Sequence, residues 1–211
     1  MIRECFVNES PRVDVWPLRL SVGDGGFFGS VKHYYGYNHI HRSVLSSEEQ
    51  ENMFRYFMMK KEIKTIVETG TYNGTTTALL AHYADKVITI DKKNYIDKFP
   101  FWIDYQVYNK IKSYIIDDDA DKAELLKNID FDFAFIDGDH SEKGVRADFE
   151  LVKRCGRVLF HDYYEVGSKL DFGAARSQGV CKVVDELPDD EVAIGRPFAY
   201  WEKSGYGNNT D

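Results

Sequence analysis

The chain has 211 residues, 43% of them hydrophobic, and 27 Lys and Arg against 35 Asp and Glu give a formal net charge of -8. That length buries one full core and is short for two domains. The acidic balance, with no basic cluster beyond Lys60, Lys61, Lys64 and the pair Lys92-Lys93, lacks the stripe needed to displace counterions, so neither nucleic acid nor an anionic membrane is an expected partner. Cys5, Cys155 and Cys181 show no metal-ligand spacing and leave an odd thiol, which points to reduced cysteines in a cytoplasmic protein. No signal-like segment opens the chain, and no apolar run approaches membrane-spanning length.

Residues 1–45 are aromatic and glycine-containing without clear periodicity, and are expected to form a cap or substrate segment. Ser46-Ser47-Glu48-Glu49 then opens a capped helix whose Met53, Phe54, Phe57 and Met58 make one buried stripe. Strands are expected at 63–71, 87–91, 113–116, 131–137, 157–161, 191–194 and 198–202, alternating with helical patterns at 75–83, 122–126 and 179–186. This alternation predicts an α/β domain over 46–203: a doubly wound, mostly parallel seven-stranded sheet with helices on both faces. The last two strands, joined by Gly195-Arg196-Pro197, are expected to close it as an antiparallel C-terminal edge hairpin. The polar tail 204–211 is expected to fray.

The run Ile66-Val67-Glu68-Thr69-Gly70-Thr71-Tyr72-Asn73-Gly74-Thr75 is an apolar strand that stops at an acid and breaks into a two-glycine turn before a helix. Gly70 supplies positive φ, and Gly74 allows close approach of a ligand. The glycines are four apart and the dinucleotide pattern G-x-G-x-x-G is missing, which makes this a poor NAD loop. The next strand ends in Asp91, roughly 20 residues beyond the first glycine, where an acid can accept both hydroxyls of a ribose.

Ligands in doubly wound sheets sit beyond the carboxyl ends of the strands, where this chain delivers Glu68, Asp91, Asp117-Asp118-Asp119, Asp137-Gly138-Asp139-His140 and His161-Asp162. The run 117–119 reads equally as an acidic helix N-cap, and His161 as a structural strand-end histidine. Asp137, Asp162 and His161 from neighbouring strand ends make a hard donor set suited to Mg²⁺, or with the imidazole to Mn²⁺, Fe²⁺ or Zn²⁺.

On these motifs the segment from Ile63 to Val184 resembles the class I S-adenosylmethionine-dependent methyltransferases, whose fold is Rossmann-like. Its glycine loop is similar to that of the catechol and caffeoyl-CoA O-methyltransferases. The strand ends at Asp137 and His161 resemble those of the bacterial metal-dependent macrolide-sugar O-methyltransferases. The resemblance implies S-adenosyl-L-methionine held by Glu68, Gly70, Thr71, Tyr72, Asn73, Gly74, Thr75 and Asp91, with Asp118 or Asp119 at the adenine amino group and Asp137 close by. It implies a divalent cation, Mg²⁺ or Mn²⁺, on Asp137, His161 and Asp162, although His161 occupies a place that is often Asp. His140 falls where the sugar enzymes carry a histidine and the catechol enzymes a catalytic lysine, which makes it the candidate general base.

The implied reaction is methyl transfer to a hydroxyl of a small molecule such as a sugar, a phenol or a natural product. An N-methyltransferase is the alternative within enzymes, against which stands the lack of any Pro-Pro pair after the fourth strand. A metal-binding hydroxylase-like or non-catalytic binding protein on the same fold is the alternative from another class. Homo-oligomerisation is left open. Substrate selection is expected to rest on the aromatic-rich stretches 16–43 and 163–178.

Overall fold

The computed structural model describes residues 3–4, 48–94, 102, 106–164 and 174–206. Most of the expected cap segment, with Ser46, Ser47 and Cys5, therefore lies outside the described residues, as do 165–173 of the second aromatic stretch and 207–211 of the tail.

The strands are β1 (Arg3–Glu4), β2 (Ile63–Thr69), β3 (Ala84–Asp91), β4 (Ile111–Ile115), β5 (Phe133–Ile136), β6 (Arg157–Phe160), β7 (Val192–Gly195) and β8 (Phe198–Glu202), and all but β1 form where β-branched and aromatic residues gather. They make one sheet in the order β1-β4-β3-β2-β5-β6-β8-β7. Neighbours from β4 through β6 are parallel, and β8 pairs antiparallel with both β6 and β7, giving the expected edge hairpin. β1 adds an eighth strand by pairing antiparallel with β4 through Arg3 and Glu4. Two residues are too few to carry a period, so this strand has no sequence signature.

The helices are α1 (Glu48–Met58), α2 (Thr75–Leu80), α3 (Asp119–Lys127), α4 (Glu142–Val152) and α5 (Ala174–Val184). Alternation along the strands sends side chains to two separate cores. Ile66, Phe133, Phe135, Leu159 and Phe198 pack with Phe54, Phe57 and Met58 of α1 and with Ala78, Leu79 and Leu80 of α2. Val67, Ile88, Ile90, Ala134, Ile136 and Phe160 pack on the other face with Leu126 of α3, with Val145, Phe149 and Val152 of α4, and with Val180 and Val183 of α5.

Chain order reverses at β2, which has β3 on one side and β5 on the other. The crevice of a doubly wound sheet opens at such a reversal. Its strand ends are held in register by main-chain bonds from Gly70 N to Ile90 O, Asp137 N to Thr69 O and His161 N to Ile136 O.

The amino ends of the same strands are tied by one buried cation. Arg157, 5% exposed, donates from Nη2 to Asp132 Oδ2 at 2.7 Å and from Nε to the Asp132 carbonyl at 2.9 Å. Asp132 Oδ1 accepts from the Thr65 N–H at 2.8 Å, so a single pair joins β2, β5 and β6. Asp132 is partly exposed and keeps its backbone donors, so Arg157→Ala costs hydrogen bonds to a charged group rather than a stranded buried charge and is expected to lower the unfolding free energy by about 1.5–3 kcal/mol, read from a denaturant titration. An unchanged midpoint would show that the clamp carries no stability.

Candidate functional site

The site begins with a steric demand. Gly70 sits at φ +94°, and a Cβ built on it would lie 2.2 Å from the Asp137 carbonyl oxygen, so the ends of β2 and β5 touch only because residue 70 has no side chain. Beyond it the loop turns through Tyr72 at φ 45° and Gly74 at φ 77°. Asp91 fastens the turn by accepting from the Tyr72 N–H at 2.7 Å on one oxygen and from the Lys93 N–H at 3.0 Å on the other. Each carboxylate oxygen keeps lone-pair capacity, and Asp91 lies on the wall of the crevice.

Asn73 Oδ1 accepts from the N–H and hydroxyl of Thr75 and so occupies the first turn of α2. Trp102 Nε1 donates to the Gly74 carbonyl at 2.9 Å.

Beneath the loop lies a hydroxyl network around Glu68, which is fully buried. Thr77 and Thr89 donate to Glu68 Oε2 at 2.5 and 2.6 Å, and since Thr89 has one proton, Thr71 donates to Thr89 across 2.6 Å. Glu68 Oε1 and Thr69 Oγ1 are buried with no hydrogen-bond partner among the described residues. Burial pushes the Glu68 carboxyl up to about 8 despite the two threonine donors, with Asp137 and Asp91 adding to the rise. Glu68 is therefore a neutral acid at pH 7.

The crevice above this loop holds about 810 Å³ and is lined by residues that include Thr69, Gly70, Tyr72, Asp91, Asp117, Asp119, Lys122, Asp137, Gly138, His140, Asp148 and His161. Of the residues expected to touch a cofactor, Gly70, Tyr72, Asp91, Asp119 and Asp137 are on the wall. Glu68, Thr71, Asn73, Gly74 and Thr75 support it from below or beside it. Asp118 takes the capping role, its Oδ1 accepting from the Ala120 N–H at 2.8 Å to open α3. Lys122 and Asp148 were missed, and the signal was there: Asp148 falls on the inward stripe of α4 between Val145 and Phe149, where a carboxylate breaks the apolar pattern.

At the mouth, His140 bridges two carboxylates, with Nε2 3.2 Å from Asp137 Oδ1 and Nδ1 3.1 Å from Asp162 Oδ2. His161 Nδ1 lies 2.9 Å from the same Asp137 oxygen and 3.4 Å from Asp162 Oδ1. Asp162 is held at φ 62°, a conformation that asparagine and aspartate tolerate better than most residues.

Burial alone would raise Asp137, but the charge of His161 and the hydrogen bonds from His140 and His161 outweigh it and bring the carboxyl to about 2. Burial opposes the charge on His140, whose hydrogen bonds to Asp137 and Asp162 nevertheless lift it to about 10. His161 is raised in the same way against its burial, chiefly by the charge of Asp137. Asp162 is lowered, since the hydrogen bond from His140 and the charge of His161 overcome its burial. Asp137, His161 and Asp162 each offer a ligand atom within 4.8 Å of the others, a donor set that fits a hard divalent cation.

Residues 67–163 match a family model described as a methyltransferase domain. This segment is a class I S-adenosylmethionine-dependent methyltransferase domain. No curated protein matches the chain. Similar solved structures include the cofactor-bound protein Rv0187 from MTB, with 19% identity over 75% of this chain and 81% of that one and a TM-score of 0.57. An O-methyltransferase from Bacillus cereus in complex with SAH is 18% identical over 76% and 84% of the two chains, with a TM-score of 0.56. The O-methyltransferase TomG from Streptomyces achromogenes, in complex with SAM, is 14% identical over 77% and 83%, with a TM-score of 0.55. At these identities the likeness is one of fold. Among the described residues of the methyltransferase domain and its flanks, no helix is long and apolar enough to cross a membrane.

The neutral state of Glu68 gives the methyltransferase domain a pH signature. A carboxyl raised in the folded state binds more protons there than in the unfolded chain, so its contribution to stability falls as pH rises from the ordinary glutamate value of 4.5 to about 8 and is level above that. Glu68→Gln, which stays neutral, should remove this downward component. The difference between wild-type and variant unfolding free energies across pH 4.5–8.5 is the measurement, and parallel curves would mean that Glu68 ionises normally.

Proposed function

We infer that the protein transfers a methyl group to a hydroxyl of a small molecule, as a divalent-metal-assisted O-methyltransferase. The observation that carries this reading is the pair Asp137 and Asp162 bridged by His140 at the mouth of the crevice that Gly70 and Asp91 frame. The O-methyltransferases from Bacillus cereus and Streptomyces achromogenes share the fold and support the choice of oxygen as acceptor. The free thiols of Cys155 and Cys181 fit a reducing compartment such as the cytoplasm.

S-adenosylmethionine, when bound, supplies an electrophilic methyl carbon, and a divalent cation on Asp137, His161 and Asp162, when bound, lowers the pKa of an acceptor hydroxyl. The chain's own residues do the rest. Asp91 accepts from the ribose hydroxyls while holding the Tyr72 N–H, so nucleoside binding and loop geometry depend on one carboxylate. Gly70 leaves backbone space at the junction of β2 and β5.

His140 is kept protonated while both carboxylates face it, and it becomes a base when those carboxylates are engaged elsewhere. A ring nitrogen freed from Asp137 or Asp162 then takes the hydroxyl proton. Such proton transfer is typically worth about 10²- to 10⁴-fold. His140 also favours a second, metal-free reading, because the two imidazoles alone already compensate both carboxylates.

The function is tested by incubating the protein with labelled S-adenosylmethionine and a panel of hydroxyl-bearing sugars, phenols and natural products. Transfer to amines alone would overturn the oxygen assignment. Chelation is expected to abolish transfer with cofactor affinity retained, and added Mg²⁺ or Mn²⁺ to restore it, whereas full activity in metal-free protein would favour the second reading. His140→Ala should slow transfer by about 10²-fold or more at neutral pH and recover as rising pH ionises the acceptor. Asp91→Ala should weaken S-adenosylhomocysteine binding by roughly 10- to 100-fold in calorimetry, the loss of about one charge-assisted hydrogen bond worth about 1.5–3 kcal/mol, because water takes up part of what the carboxylate supplied. Equal affinity would remove Asp91 from the cofactor site.

A further inference from the structure

Helix α5 breaks a local rule at its centre. Glycine inside a helix is less stable than alanine because its backbone has more freedom to lose, yet Gly179 stands midway along Ala174–Val184 and is buried. Its neighbours give the reason. A Cβ built on Gly179 would lie 2.2 Å from the His140 carbonyl oxygen, 2.4 Å from the Glu142 nitrogen and 2.5 Å from the Ser141 carbonyl carbon. All three are main-chain atoms, so no side chain can rotate away, and contact between a carbon and a carbonyl oxygen begins at about 3.3 Å. α5 reaches the turn that carries His140 only because residue 179 has no side chain.

The helix is fixed more firmly than the turn it touches. Val180, Val183 and Val184 are buried in the core shared with α4, whereas Gly138, Asp139 and Ser141 are exposed. The same helix also holds the neighbouring loop, since Tyr163 Oη donates to Asp185 Oδ1 at 2.8 Å and Cys181 Sγ donates to the Tyr164 carbonyl. Exposed ion pairs of Lys182 with Glu142 and of Arg146 with Glu186 join α4 to α5 as well, but such pairs add little. α5 therefore grips the backbone beside His140 and the two residues that follow Asp162, and His140 Nδ1 spans those loops with its 3.1 Å contact to Asp162 Oδ2.

We propose that α5 is the brace that sets His140 against Asp162, and that Gly179 is a positioning residue for methyl transfer, acting through His140. This role rests on the reading of His140 as the base. An added Cβ pushes the backbone of 140–142 aside by about 1 Å, and a misplacement of that size can cost about 100-fold in rate. Cofactor binding depends on Gly70 and Asp91 at other strand ends and is left as it was.

The test is a double-mutant cycle, with thermal melting to verify folding. Gly179→Ala is expected to lower kcat by about 10- to 100-fold toward the acceptor found in the hydroxyl panel, with KM for that acceptor and calorimetric affinity for S-adenosylhomocysteine within about threefold of wild type. Both changes take the same imidazole from its place, so Gly179→Ala combined with His140→Ala should be no slower than His140→Ala alone. Losses that multiply, an unchanged kcat, or a cofactor affinity that falls with the rate would overturn the role. A second arm needs no acceptor and follows the hydrogen-bonded ring N–H of His140 by NMR, assigned by its absence in His140→Ala. In Gly179→Ala this resonance should move while the indole N–H of Trp102, bonded to the Gly74 carbonyl, stays in place. A His140 resonance that does not move, or one that moves together with Trp102, overturns the role equally. Should His140→Ala transfer at the wild-type rate, the base reading falls, and the NMR arm still decides whether α5 places the imidazole. If Gly179→Ala does not fold, Tyr163→Phe with Cys181→Ala removes the hydrogen bonds of α5 to the neighbouring loop and keeps its apolar packing. The same cycle is then run on that variant, and an unchanged kcat or losses that multiply with His140→Ala overturn the proposal.

Discussion

Everything at the carboxyl end of the sheet depends on the approach of two backbones, with the Asp137 carbonyl oxygen 2.2 Å from where a Cβ of Gly70 would sit. Parallel pairing of β2 with β5 continues to the last residue only because that space is free. The same closeness brings the acids of two loops into one crevice, and the remaining chemistry can be read as the chain's response to having put them there. A branched side chain at residue 70 would part the strands before Asp137 could face Asp91.

Six aspartates line the crevice, and a low-dielectric cleft cannot hold so much negative charge without compensation. Three solutions operate within one wall. His140 and His161 meet Asp137 and Asp162 with imidazolium charge. Lys122 meets Asp119 and Asp148 with ammonium. Glu68, which has two hydroxyl donors and no cation, is kept neutral. These are different answers to one desolvation problem, and among the described residues only the first brings three donor side chains close enough to share a metal.

Most of the architecture was legible because parallel strands buried on both faces write themselves as apolar runs, and all seven expected strands formed with boundaries shifted by at most three residues. The eighth, Arg3–Glu4, was too short to show a period. Strand ends are also where sequence can point to chemistry, so Asp91, Asp137, His140, His161 and Asp162 could be named before the fold was known. What stayed hidden was side-chain direction within each motif. Glu68 and Thr71 turn under the loop and Asp118 turns to its own helix, which adjacency in sequence cannot reveal. Lys122 and Asp148 are 26 residues apart on two helices, and only the packing of α3 against α4 makes them a pair.

The clamp of Arg157 on Asp132 lies at the opposite end of the strands from the crevice. Cohesion is concentrated where the strands begin and reactivity where they end, so the two are exposed to different mutations. Loops at the carboxyl end can be lengthened, recharged or reshaped toward a new acceptor while the register of β2, β5 and β6 is set from below. A scaffold divided in this way can change what it modifies without first having to relearn how to fold.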